Sequence, residues 1–351
     1  MRKKYVVLVG PNRNLKGGIS TVINDIYNSD LQQDFNIIAI NTYGKKFGSS
    51  FFLGIMWYFS LIIMRSVSIC HIQLASKGSF YRKIFFILLT PRNVKLLIHV
   101  HGGGFIKFYT SQPKFIQRLI EYSMNKANLV ITVSEVFRNE LCNVIGVNKN
   151  KIKRVYNGVT LKKNINIENS GKEVKVLFMG KLSRVKGIYD FIEVIKSFKE
   201  VEMNVKFLIA GNGDIETVKQ IIKNEKVEEQ TEILGWIDGK QKDNVLLTSD
   251  VLIAPSYFES FGISIVEAMN FGVAIIGYRV GGIPEIVEHT KNGFLHDTGD
   301  ISGMVKSLKE LVENENLLIS MKLNNMEKVK KFSKDKFIES IRKIYYLYIQ
   351  P

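Results

Sequence analysis

Short apolar runs alternate with helix-length amphipathic stretches along most of this chain. In the first half, Tyr5–Val9, Phe35–Ile40, Ile69–Leu74, Val94–Val100, Leu129–Val133 and Ile152–Val155 predict strands. In the second half, Val174–Met179, Val205–Ile209, Glu232–Leu234, Asp250–Ala254 and Val273–Ile276 do the same. Several are continuous Val/Ile/Leu runs, the pattern of strands buried on both faces of a parallel sheet. Spacings such as Ile188–Phe198 and Glu216–Asn224 predict helices between them, and repeated βα units predict doubly wound sheets with right-handed crossovers. Leu161–Glu173 is polar, Asn-rich and without period, and a fresh strand–glycine–helix unit starts at Val174. The pattern therefore predicts an α/β chain of two Rossmann-like domains facing across a cleft, residues 1–165 and 166–333. A last amphipathic helix follows at Lys334–Ile349, with Phe337, Ile341, Ile344, Tyr345 and Tyr348 at helical spacing.

Length and composition support two α/β domains: 351 residues exceed what one core serves, and 46% hydrophobic with 23% charged residues excludes a disordered chain. Two cysteines, Cys70 and Cys142, exclude a disulfide framework and a four-thiolate metal site. No run reaches the roughly 18 apolar residues of a spanning helix, and the N-terminal run is too short for a secretory leader. The expectation is a cytoplasmic protein.

Charge changes the picture. The net +16 is lopsided: residues 1–165 hold 24 Lys+Arg against 6 Asp+Glu, while the remainder holds 25 against 27. Between Asp34 and Glu121 there are eleven basic residues and no acidic one. A field this one-sided points to an anionic partner for the first half, either nucleic acid or an anionic membrane surface.

Open parallel sheets bind ligands at the carboxyl ends of their strands, so the loops there are the places to look. Gly17-Gly18 precede a helix at about Ile19–Tyr27, where backbone N–H groups meet an anion at the positive helix end. Their spacing is neither a P-loop nor G-x-G-x-x-G, and alone they read as turn residues. His99-Val-His101-Gly-Gly-Gly ends a strand, with both histidines on one face; a proton or hydroxyl site and a buried histidine beside a turn fit it equally. Lys181, Arg184 and Lys186 crowd one strand-end loop, suited to a diphosphate but also to a solvated basic loop. The most specific segment is Ser256-Tyr-Phe-Glu259-Ser-Phe261-Gly262-Ile263-Ser-Ile-Val-Glu267-Ala-Met269. It predicts Glu259 in a loop, Glu267 in the following helix, and the amides of Phe261, Gly262 and Ile263 directed at an anion. Apolar neighbours surround Glu267, and an ionised group there needs a partner or a ligand.

Glu259 and Glu267 with seven residues between them resemble the E-x7-E motif of family 4 glycosyltransferases, which have the GT-B fold. Val280-Gly-Gly-Ile-Pro-Glu285, Asn157-Gly-Val159, Gly211-Asn-Gly213 and Gly17-Gly18 resemble that family too, in its order along the chain. The resemblance implies a retaining, metal-independent hexosyltransferase that uses a nucleotide-diphosphate sugar and no further cofactor. By position it implies that Glu267 holds the ribose hydroxyls, Glu259 and His101 lie at the donor sugar, and Lys186 binds the diphosphate. Lys181 stands where the family has arginine, which keeps the charge and loses the bidentate fork; Arg184 is the nearby cation to compensate. Retention would proceed by same-face attack through an oxocarbenium-like state. The final helix, 334–351, resembles the segment that packs back on the first domain. The absence of any D-x-D agrees with a metal-free site.

In that family the first domain serves the acceptor, and here it is the basic one. Phe51–Met64 reads either as a core helix or as a membrane-lying one. Arg65, Lys77, Phe80-Tyr-Arg-Lys83 and Phe85-Phe86 add aromatics with basic flanks. A lipid-linked saccharide acceptor in surface-polysaccharide assembly, on the inner face of the cell membrane, accounts for both charge and aromatics. Nucleic acid is disfavoured by the lack of any nucleic-acid motif. The other function classes are a nucleotide-sugar epimerase of similar fold and a non-catalytic partner subunit.

Overall fold

The computed structural model describes residues 3–15, 17–43, 58–59, 67–102, 104–163, 165, 173–199, 201 and 203–349. The stretch 51–64 lies outside these residues apart from Tyr58 and Phe59. The chain divides into two compact units, Met1–Gly158 with Lys334–Pro351, and Val159–Ser333. This division falls ahead of the 165/166 boundary drawn from the polar linker. The reason is local: the Val159 N–H donates to Phe332 O at 2.9 Å, which ties that residue to the second unit.

The first unit holds β1 (Lys4–Gly10), β2 (Phe35–Asn41), β3 (Val67–Leu74), β4 (Lys95–Val100), β5 (Leu129–Thr132) and β6 (Ile152–Arg154). They form one parallel sheet in the order β2-β1-β3-β4-β5-β6. Val6 to Val9 are fully buried, as a strand covered on both faces requires. The helix Lys334–Ile349 belongs to this unit: Phe337, Ile338, Ile341, Ile344 and Tyr345 share a core with Val6, Leu8, Phe35 and Ile69. Arg342 binds Asp34 at 2.6 Å and Tyr345 Oη meets His71 Nδ1 at 2.8 Å.

The second unit holds β7 (Val174–Met179), β8 (Val205–Ala210), β9 (Thr231–Gly235), β10 (Val251–Ala254), β11 (Ala274–Tyr278) and β12 (Gly293–His296). Their order is β12-β11-β10-β7-β8-β9, again all parallel. This is the doubly wound order, and winding reverses between β7 and β10. The strands expected from the apolar runs are all present within two residues of their predicted ends. β12 was not expected, because four residues between turns carry too little pattern; it pairs with β11 at the sheet edge.

The helix Gly78–Leu89 corrects one expectation. Phe80, Lys83, Ile84, Phe86 and Ile87 are buried, whereas Tyr81, Phe85, Leu88 and Leu89 are exposed. Helical periodicity separates these rows, so Phe80, Lys83 and Phe86 do not join the surface aromatic and basic flank. The exposed row continues on the adjacent helix Lys114–Lys126 with Phe115 and Tyr122, beside exposed Lys114 and Arg118.

At the foot of the second sheet, buried Asp250 accepts from the Lys175 N–H at 2.9 Å and from Lys322 Nζ at 2.6 Å. The pair ties β7 and β10 to the helix Glu315–Lys328. Lys322→Met should lower the stability of the second unit by about 3–5 kcal/mol, because it leaves a buried carboxylate without that cation. Urea unfolding measures the loss; an unchanged midpoint would dismiss the pair as a stabilising contact.

Candidate active site

The reversal of winding in the second sheet opens the carboxyl ends of β7 and β10, and three loops converge there. After β7 the chain passes Gly180 to Gly187, with a 3-10 turn at Arg184–Lys186, and enters the helix Ile188–Lys196. After β10 it passes Pro255 to Gly262 and enters the helix Ile263–Met269. After β11 it passes Val280 to Gly282.

These loops touch backbone to backbone. A Cβ on Gly187 would sit 1.8 Å from Pro255 O, and a Cβ on Gly281 would sit 1.7 Å from Glu259 O. Both glycines have positive φ, +74° and +51°, so both space and conformation demand glycine there. The Tyr257 N–H donates to Val185 O at 3.0 Å and the Gly282 N–H to Glu259 O at 3.1 Å. The β7 loop is also stitched to the loop after β8, through the Leu182 N–H to Asn212 O at 2.7 Å.

On this frame Lys186 Nζ lies 2.5 Å from Glu259 Oε2. The two residues come from different loops, 73 positions apart in sequence. Glu267, in the helix after β10, is met by Lys242 Nζ at 2.6 Å. Both carboxylates predicted from the spacing are therefore paired with ammonium groups and partly open to solvent. Lys242 was missed, since it sits in a polar helix, Gly239–Thr248, without a motif around it. Its one sequence signal is that this helix follows the carboxyl end of β9 after a short loop.

Lys181 and Arg184 lie in the same loop as Lys186, exposed, and form no ion pair among the described residues. Phe261 is buried against Phe332, with ring centroids 5.8 Å apart, so its side chain packs the core. Gly262, at φ +100°, turns the chain into the helix that starts at Ile263.

A second group missed by sequence reasoning sits beneath the loops. Buried Asp190 accepts from Tyr278 Oη at 2.5 Å and from Tyr257 Oη at 3.0 Å. Burial and the Asp190 carboxylate raise the Tyr278 hydroxyl pKa, and the hydrogen bond to Asp190 raises that of Tyr257. Both tyrosines stay protonated donors; Tyr257 ties the Glu259 loop, and Tyr278 the end of β11, to the first turn of the helix Ile188–Lys196.

In the first unit, Gly17 stands at φ +143° before the helix Gly18–Tyr27. Among the described residues nothing lies within 4 Å of where a Cβ would stand on Gly17 or Gly18. His101 follows β4, and its Nε2 meets Gln73 Oε1 at 2.6 Å. Its ring lies 4.0 Å from that of His99, which confirms that the two histidines share a face; His99 stacks in turn on His71 at 5.6 Å. Burial, with help from nearby His71 and Lys83, pushes His101 down to about 3, and burial does the same to His71. The imidazoles are neutral at pH 7. Among the described residues no three His, Cys, Asp or Glu side chains are grouped to hold a metal ion.

Two family profiles match the chain: Glycosyl transferases group 1 over residues 161–331 and Glycosyltransferase Family 4 over residues 31–163. N-acetyl-alpha-D-glucosaminyl L-malate synthase of Bacillus anthracis is 31% identical over 271 residues, 72% of this chain and 68% of its own length. An uncharacterized 41.2 kDa protein in the cps region of Klebsiella pneumoniae is 26% identical over 319 residues, 83% of this chain and 86% of its own. Among solved structures, Anabaena HepE in complex with UDP-glucose superposes with a TM-score of 0.76 at 18% identity, over 97% of this chain and 99% of that one. This last likeness is one of fold.

The contact between Gly281 and the Glu259 carbonyl is directly testable. Gly281→Ala forces both a clash and a strained φ, a cost of roughly 2–4 kcal/mol, and should lower the melting temperature by roughly 5–10 °C. Gly180→Ala, whose Cβ would meet only the Phe178 ring at 4.0 Å, should leave it nearly unchanged. Equal melting curves for the two variants would refute the close packing.

Proposed function

The chain belongs to family 4 of the GT-B glycosyltransferases, which transfer sugar from nucleotide sugars, and from this we propose a retaining, metal-independent hexosyltransferase. Its donor is a nucleoside-diphosphate sugar, and its acceptor is a lipid-linked glycan at the cytoplasmic face of the membrane. The observation that carries this reading is the Lys186–Glu259 pair, held by two loops where the second sheet reverses its winding.

The chemistry follows from charge. As the sugar leaves, negative charge grows on the diphosphate, and groups already aimed at it lower the barrier most. Lys186, Lys181 and Arg184 share one loop and supply that positive charge, with the backbone at Phe261–Ile263 beside them. When the diphosphate engages Lys186, Glu259 loses its ion-pair partner and is released to accept hydrogen bonds from the donor sugar. Glu267 accepts the two ribose hydroxyls, and Lys242, 2.6 Å away, orients its carboxylate. His101, kept neutral by burial, is assigned to the donor sugar, and the open backbone at Gly17 and Gly18 to an anionic group. Same-face attack through an oxocarbenium-like state gives retention without a covalent intermediate on Glu259.

The acceptor side rests on the exposed row Tyr81, Phe85, Leu88 and Leu89, continued by Phe115 and Tyr122 and bordered by Lys114 and Arg118. An apolar row with cations at its edge suits the surface of an anionic leaflet. No helix among the described residues is long and apolar enough to cross a membrane, so contact would be peripheral. The relative from a cps region supports a role in surface-polysaccharide assembly.

Two measurements check this reading. Glu267→Ala removes hydrogen bonds to a charged acceptor worth about 1.5–3 kcal/mol, so the donor KM should rise roughly 10- to 150-fold; an unchanged KM removes Glu267 from the donor site. The chain should also sediment with anionic but not neutral vesicles, and be released in about 0.5 M salt. The double variant Phe85→Ser, Leu89→Ser should weaken that binding. Equal binding to both vesicle types would sink the electrostatic part.

A further inference from the structure

Lys83 is a buried cation that meets no carboxylate among the described residues. It is 1% exposed, and its hydrogen bond among the described residues is a single one, 2.6 Å to Ser79 Oγ. That leaves two ammonium hydrogens without an acceptor. No carboxylate is near in sequence, because the chain has no Asp or Glu between Asp34 and Glu121. The carboxylates that flank this gap, and others in the unit, are engaged elsewhere. Asp25 pairs with Lys334 and Asp34 with Arg342, while Glu121 accepts from Tyr109 and Glu135 from Arg138.

A second donor nearby is also unmatched. Gln73, fully buried near the end of β3, gives its Oε1 to His101 and leaves its Nε2 without a partner. Ser79 ties Lys83 to the same place, since its Oγ also accepts from the Ala75 N–H, just past β3. Lys83 is close enough to His101 for its charge to help lower the pKa of that imidazole. Among the described residues the carboxyl ends of β3 and β4 thus gather donors and no acid, beside the strand at which this sheet reverses its winding.

We infer that Lys83 is the counter-charge for an oxyanion, a phosphate or carboxylate group of the acceptor, bound at the carboxyl ends of β3 and β4. Calling that group part of the acceptor rests on the transferase function proposed above; the anion site does not. Burying an ammonium alone is unfavourable, and an anion that binds only the folded chain relieves it. Burial, with Arg82 on the same helix, pulls Lys83 down to about 7. The other titratable groups from neighbouring elements are neutral His101 after β4 and Lys126 of the adjacent helix, whose Nζ donates to Leu88 O at the far end of the Lys83 helix. Lys83 is therefore charged below about pH 7 and neutral above it, and anion binding should fade as pH rises.

Thermal melts of the whole chain in sodium sulfate, against sodium chloride of equal ionic strength, test this with a probe whose charge is constant from pH 5 to 9. At pH 6 the wild type should gain roughly 3 °C from sulfate over chloride, and most of that gain should vanish at pH 8.5. Lys83→Met, which keeps the apolar stem and removes the charge, should lose the gain at pH 6 without a lower melting temperature in chloride. An equal sulfate gain in wild type and Lys83→Met would overturn the assignment. If the variant does not fold, a wild-type gain that is the same at both pH values overturns it alone. Glycerol phosphate and succinate in place of sulfate separate the sources: the larger Lys83-dependent gain identifies a phosphate or a carboxylate acceptor. UDP in the same melts tests the donor reading separately; no UDP-dependent rise in wild type would count against the transferase function and not against the anion site.

Discussion

The site depends on backbone packed against backbone at the carboxyl ends of β7, β10 and β11. Carbonyls of Pro255 and Glu259 lie where any side chain on Gly187 or Gly281 would have to be. Loops joined this closely cannot move independently, so the backbone that carries Glu259 is fixed relative to the loops of Lys186 and Gly281. The Asp190–Tyr257–Tyr278 network does from below what the glycines do from the side. Catalysis by positioned charge needs such stiffness, because an ångström of displacement costs far more rate than the loss of one surface contact. The helices and sheets serve mainly to bring these loop backbones together.

Most of the fold was legible in the chain. Strands covered on both faces leave long apolar runs, and those runs located every strand but β12. The glutamate pair was legible because loop and helix positions follow from Pro255, Gly262 and the apolar residues between. Three things were not. Lys242, Tyr278 and Asp190 act through contacts between elements far apart in sequence, and nothing local marks them. The inward turn of Lys83 was hidden because a lysine beside aromatics reads as a basic flank until helical phase assigns it to the row of Phe80 and Ile87. The division at Gly158 was not legible because composition marks where a linker is polar, whereas the hydrogen bond from Val159 to Phe332 joins that residue to the second unit.

The two units treat charge in opposite ways. In the second, the cations and carboxylates of the candidate site are matched one to one, Lys186 with Glu259 and Lys242 with Glu267, while Lys181 and Arg184 remain as surplus positive charge in the same loop. A site built so is neutral in its fixed pairs, and a ligand can exchange for one partner of a pair without leaving the other unsolvated. Among the described residues of the first unit most cations lie at the surface, and buried Lys83 has no carboxylate to match it. Net charge describes neither arrangement; placement does.

The closing helix, Lys334–Ile349, completes the core that the first strand begins. Its Tyr345 reaches His71 across 274 positions of sequence, and its Arg342 reaches Asp34 across 308. The first unit is thus discontinuous, with the whole second unit inserted between its two parts. Closing so long a loop carries an entropic cost that grows only slowly with length, so the arrangement is affordable at equilibrium. Its consequence is kinetic. During synthesis the inserted unit is contiguous, while the part of the first unit that precedes it must wait, its apolar strip over Val6, Leu8 and Phe35 uncovered, until the helix Lys334–Ile349 has been made. The order in which this chain is made is therefore the reverse of the order in which its two cores can close.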